Sequence, residues 1–84
     1  MSKKDKLIER LKAKPHDFTL DEMDTLLSYF SFKRSNKGKT SGSRIIYISE
    51  FYSPIMLHKP HPNNTLKIYQ IKQILFKLEQ EGLI

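Results

Sequence analysis

The sequence has no cysteine among its 84 residues. Neither a disulfide framework nor a thiolate metal site can therefore staple so small a chain, and helices packed on a sheet must supply its stability. Long apolar runs are also missing: Met1-Ser2-Lys3-Lys4-Asp5-Lys6 leads into an amphipathic pattern, not a continuous hydrophobic stretch. The expectation is a cytoplasmic chain with neither secretion signal nor membrane span. Acidic residues are in the minority, 9 Asp and Glu against 15 Lys and Arg, for a formal net charge of +6. Such an excess on a small body attracts polyanions, which leaves RNA, DNA or an acidic protein as partners beside the plainer reading of a soluble basic surface. No internal repeat is visible, and the length leaves room for one domain, residues 1–84, around one modest core without a deep cofactor cavity.

What is present is periodic. Leu7, Ile8 and Leu11 fall at helical spacing within residues 3–13, and Lys14-Pro15 ends that helix. Thr19 precedes Glu22 by three positions, a capping box, with Phe18 and Met23 as its hydrophobic staple. The helix so started, about Leu20 to Tyr29, carries Met23, Leu26, Leu27 and Phe30 on one side. A short strand is expected between Phe30 and Lys37, then a basic Gly/Ser turn, then a hairpin of Arg44–Ile48 with Ile55–His58. Pairing Ile48 with Ile55 puts Ile46, Ile48, Ile55 and Leu57 on the core face and Ile45, Tyr47, Met56 and His58 on the other; a slip of one residue reverses these assignments, so the positions of Tyr47 and His58 are conditional on that pairing. After the turn at Lys59 to Asn64, Thr65 is the expected cap of a last helix with the stripe Ile68, Ile71, Ile74, Leu75 and Leu78, closed by Gly82 with Leu83 folding back. The order helix, helix, three strands, helix predicts an α+β layer of helices on a three-stranded antiparallel sheet.

Two segments carry chemistry. Lys33, Arg34, Lys37, Lys39 and Arg44 surround a turn rich in Ser, Gly and Asn, offering cations and small donors to a phosphate chain; the pattern lacks the strand-to-helix glycine-lysine signature of a P-loop. Leu57-His58-Lys59-Pro60-His61-Pro62 gathers two histidines and a lysine at the exit of a strand. Metal-free cleavage of RNA needs a base for the ribose hydroxyl, an acid for the leaving oxygen and cations for the charge developing on phosphate. Imidazole suits the first two roles near neutral pH. A surface role for each histidine is the competing reading, and His16 stands alone in a turn. With a proline between them and no cysteine, His58 and His61 do not form a common zinc motif, so no metal and no other cofactor is expected. Tyr47, Phe51 and Tyr52 are candidates either for stacking on unpaired bases or for ordinary packing, and Lys67, Lys72 and Lys77 for a solvated basic helix face able to meet phosphate.

The run Gly42-Ser43-Arg44-Ile45-Ile46-Tyr47 followed by Leu57-His58-Lys59-Pro60-His61-Pro62 resembles the HicA family of type II toxin-antitoxin systems. The passage from Asn63 to Leu75 is similar to that family's final strand-to-helix connection, and the likeness runs from about Phe18 to Ile84, leaving residues 1–17 as an N-terminal helical extension. The resemblance implies a double-stranded-RNA-binding-domain-like fold and a metal-independent endoribonuclease that inhibits translation by cleaving mRNA in a stress response. It also implies neutralisation by a HicB-type antitoxin protein. Many members carry a catalytic histidine shortly after a Gly-Ser turn, where this chain has Arg44. A guanidinium holds charge at neutral pH and does not shuttle protons. The expected site is therefore Arg44 with His58 and His61 for catalysis, and Lys37, Lys39, Ser41, Gly42, Ser43, Arg44, Lys59 and Lys67 for RNA. The alternatives are a non-catalytic RNA-binding or antitoxin-binding module of the same fold, or a DNA-binding regulator, for which no recognition-helix signature is present.

Overall fold

The computed structural model describes residues 2–35, 44–60 and 64–84. Helix α1 (Lys3–Lys12) buries Leu7 and Leu11, and it ends where Lys14 takes a left-handed φ of 52° and donates its N–H to the Leu11 carbonyl. Helix α2 (Leu20–Ser28) begins with the expected capping box: the Glu22 N–H donates to the Thr19 hydroxyl at 3.1 Å, and the Glu22 carboxylate accepts from the Thr19 N–H at 3.1 Å. Phe18 and Met23 are both fully buried, as a hydrophobic staple requires. Strands β1 (Lys33–Arg34), β2 (Arg44–Ile48) and β3 (Ile55–His58) form an antiparallel sheet in the order β1-β2-β3, and helix α3 (Ile68–Gln80) completes an ααβββα arrangement.

One core holds the layers together. Leu7 and Leu11, Leu20 to Leu27 on the inner side of α2, Phe30 and Phe32, then Ile71, Ile74 and Leu78 of α3 pack on Ile45, Tyr47, Ile55 and Leu57 of the sheet. Helix α3 closes as its sequence predicts: Gly82 has a φ of 73°, its N–H bonds the Glu79 carbonyl and the Leu83 N–H reaches the Leu78 carbonyl. No helix among the described residues is long and apolar enough to cross a membrane.

Two local expectations are corrected. The hairpin is shifted by one residue, with Arg44 opposite His58, Ile45 opposite Leu57, Ile46 opposite Met56 and Tyr47 opposite Ile55. Ile45 and Tyr47 therefore face the core, whereas Ile48 and Met56 are exposed. The cause lies across the layer: turned inward, the large Tyr47 ring is buried while its hydroxyl donates to the Asp24 carboxylate of α2, which also holds Arg34 at 2.6 Å. Thr65, in turn, does not cap α3. It forms an isolated antiparallel bridge with Thr19, in which Leu20 N–H donates to Asn64 O at 2.9 Å and Leu66 N–H to Phe18 O at 2.8 Å. That pairing keeps the backbone extended, so the helix starts two residues later, with Lys67 at the N-cap.

The α1 to α2 connection is clamped by Arg10, whose guanidinium holds Glu22 through bonds of 2.8 and 3.1 Å and lies 3.2 Å from Asp17. Arg10 first, and the Thr19 N–H after it, hold the Glu22 carboxyl below its ordinary value of 4.5 against the opposing effect of burial. A lowered folded value means stability that is complete above the ordinary value and lost as pH falls through the lowered one. The melting temperature of Glu22→Gln should accordingly fall less steeply than that of the parent below about pH 4.5. Parallel acid profiles would remove Glu22 from the acid response.

Candidate nucleic-acid interface

The sheet has one covered and one open face, and the register decides what the open face displays. Residues directly opposite in an antiparallel pair share a face, their Cβ atoms about 4.5–5.5 Å apart. Arg44 and His58, both exposed, are such a pair. On the same face lie Met56, Ile46, Ile48 and, across from Ile48, Lys33. An exposed cation thus stands beside an exposed imidazole.

His58 ends β3, and the chain then turns toward α3 through Lys59 and Pro60. The link is tied by Gln70, only 3% exposed, whose side-chain oxygen accepts from the Lys67 N–H at 2.9 Å while its nitrogen donates to the His58 carbonyl at 2.8 Å. One buried amide therefore fixes the end of β3 against the first turn of α3. Between them lies a shallow cleft of about 210 Å³ lined by His58, Lys59, Pro60, Lys67, Tyr69 and Gln70. The N-terminus of a helix is electropositive, so the cations and the backbone favour the same ligand charge.

Four of the expected site residues, Arg44, His58, Lys59 and Lys67, are brought to this end of the molecule. Lys37, Lys39, Ser41, Gly42, Ser43 and His61 lie outside the described residues. Other basic groups are engaged internally. Arg34 is turned to the covered side and paired with Asp24, Arg10 is held by Glu22 and Asp17, and Lys77 bonds the Ser53 hydroxyl and lies 3.4 Å from Glu81. Lys77 therefore does not share the solvated basic face expected for it. The aromatic candidates also divide: Tyr47 is buried and out of reach of a base, Tyr52 stacks on Phe32 at 5.7 Å, and Phe51 is exposed. Tyr69, not singled out from sequence, is 54% exposed in the cleft. Its position outside the apolar stripe of α3, within reach of Lys67, was the available signal.

A wider recess, about 530 Å³, lies at the far end of the sheet among Ser28, Ser31, Lys33, Ile48, Ser49, Glu50 and Phe51. Four residues of β2, about 13 Å, separate Ile48 from Arg44, and its one lysine is offset by Glu50, so the recess adds nothing to the cationic site. Among the described residues no group of three or more His, Asp or Glu side chains is gathered as a metal site would need. Comparisons with protein-family models, with curated proteins and with solved structures find no match to this chain.

Proposed function

We propose that the chain binds RNA and cleaves it without metal, as a toxin of the HicA kind with a double-stranded-RNA-binding-domain-like fold, acting on mRNA in the cytoplasm under stress and restrained by a HicB-type antitoxin. The observation that carries this reading is the cross-strand pair Arg44 and His58 on the open sheet face. A phosphate held by Arg44, with Lys59 and Lys67 on its flank, lies beside a group able to move a proton. His58 or His61 takes the proton of the ribose 2′-hydroxyl as that oxygen attacks phosphorus, and an acid returns a proton to the departing 5′-oxygen. Arg44 stabilises the charge that builds on the phosphoryl oxygens, a role that suits a permanently charged, planar donor set. It replaces, as a charge and not as a base, the histidine that the resemblance leads one to expect at this point of the strand.

Purified protein incubated with single-stranded RNA in the presence of a chelator tests the reading beside Arg44→Ala, His58→Ala and His61→Ala. Loss of a general acid or base should slow cleavage about 10²- to 10⁴-fold. Undiminished cleavage in both histidine variants would remove them from the chemistry. Salt-sensitive binding without any cleavage would select the non-catalytic module of the same fold, and failure to bind RNA at low salt would end the proposal altogether.

A further inference from the structure

A second group of cations lies where the C-terminal end of α1 meets the outer side of α3. Lys12, Lys14 and Lys72, with Leu75, Phe76 and Glu79, line a cleft of about 420 Å³. Lys14 is held there by the left-handed turn that ends α1, its N–H bonded to the Leu11 carbonyl at 3.0 Å. Where Arg10, Arg34 and Lys77 are each paired with a carboxylate, no ion pair among the described residues engages Lys12, Lys14 or Lys72. Three unpaired ammonium groups facing one carboxylate, Glu79, leave the cleft positive, a repulsive arrangement that an anion relieves.

The cleft is also aromatic. Phe76 is 63% exposed and Tyr69 is 54% exposed. Seven residues apart on one helix, they stand two turns, about 10 Å, from each other on the same face. Tyr69 opens onto Lys59 and Lys67 and Phe76 onto Lys12, Lys14 and Lys72, so two cationic clefts, each with one ring, are joined along α3. Exposed rings beside cations suit a strand whose bases are unpaired; a duplex offers its phosphates but keeps its base faces stacked.

We infer that the cleft between α1 and α3 is a second RNA subsite, and that a single strand runs along the outer face of α3 with its phosphates at the two lysine groups and bases on Tyr69 and Phe76. This rests on the reading of the chain as RNA-binding and adds the strandedness of the ligand and a role for the N-terminal helix. Entering by this track, a strand would reach Arg44 and His58 past Lys59 and Lys67.

The test uses the full chain and a labelled 2′-O-methyl oligoribonucleotide, which lacks the attacking hydroxyl and so reports binding alone, as a single strand and as a duplex over a range of salt. Replacing Lys12, Lys14 and Lys72 together by Gln should lower the salt slope for the single strand by about 2, since each phosphate contact contributes about 0.7. Phe76→Ala should weaken single-strand binding about tenfold and leave the duplex unchanged. These side chains lie at the surface, so unchanged thermal melting checks that the fold is intact. If Lys59→Gln weakens binding while the α1 and α3 variants match the parent, the second subsite is wrong and the RNA reading stands. Equal losses on single strand and duplex in Phe76→Ala would overturn the single-strand assignment, whereas a parent chain that binds neither would sink the underlying reading first.

Discussion

Phe18→Ala should destabilise the protein by about 3–5 kcal/mol, the usual cost of removing a buried phenyl ring. The ring is fully buried at the crossing of three features. It staples the start of α2 against Met23, lies 5.6 Å beneath the Arg10 guanidinium, and belongs to the residue whose carbonyl accepts the Leu66 N–H. A cavity there removes packing and loosens the bridge that sets where α3 begins. At about 0.05–0.15 kcal/mol per residue, a chain of this size has only about 4–13 kcal/mol in total, so the variant should melt at least about 12 °C lower or fail to fold. Thermal or urea unfolding followed by circular dichroism measures this, with exposed Phe76→Ala as the control expected within about 0.5 kcal/mol of the parent. A cost for Phe18→Ala below about 1 kcal/mol would contradict its placement in the core.

Asp24→Ala should cost about 2–3 kcal/mol, and Tyr47→Phe only about 1 kcal/mol, although both remove the same hydrogen bond. The difference follows from what each leaves behind. Without Asp24 the inward-facing Tyr47 hydroxyl has lost its acceptor and Arg34 its counter-charge, the exposed pair contributing only the smaller share. Without the hydroxyl, Asp24 keeps Arg34 and the ring keeps its packing. The same triad responds to alkali. Burial first, and Asp24 second, raise the Tyr47 pKa above its ordinary value of 10.0. The folded state thus retains a proton that the unfolded chain releases, and stability, complete below about pH 10, falls as pH climbs toward the raised value. Tyr47→Phe should therefore show a flatter decline in melting temperature above pH 10 than the parent. Equal costs for the two substitutions would mean that the hydroxyl finds another acceptor.

The start of α2 and the end of α3 were legible because their signals are local: Thr19 and Glu22 reach each other within one turn, and Gly82 serves the conformation of its own backbone. The hairpin register was not. Ile45, Ile46 and Tyr47 are all apolar enough for either face, so alternation alone does not choose between pairings that differ by one residue. The choice is made by Asp24, more than twenty positions earlier, which takes the Tyr47 hydroxyl on the covered side. Thr65 misled for a related reason: its side chain suits a helix cap, but its backbone neighbours are claimed by Phe18 and Leu20.

The site depends on that register. Had Ile48 faced Ile55, Arg44 and His58 would lie on opposite faces of the sheet; the observed pairing sets them side by side. Residue order alone determined the positive charge, the element sequence and the periodic stripes that make a core, because these follow from side-chain chemistry and from spacing within a few residues. Tertiary structure alone decided which cations are spent on internal carboxylates and which stand free along α3, because pairing depends on distances across the fold and not along the chain.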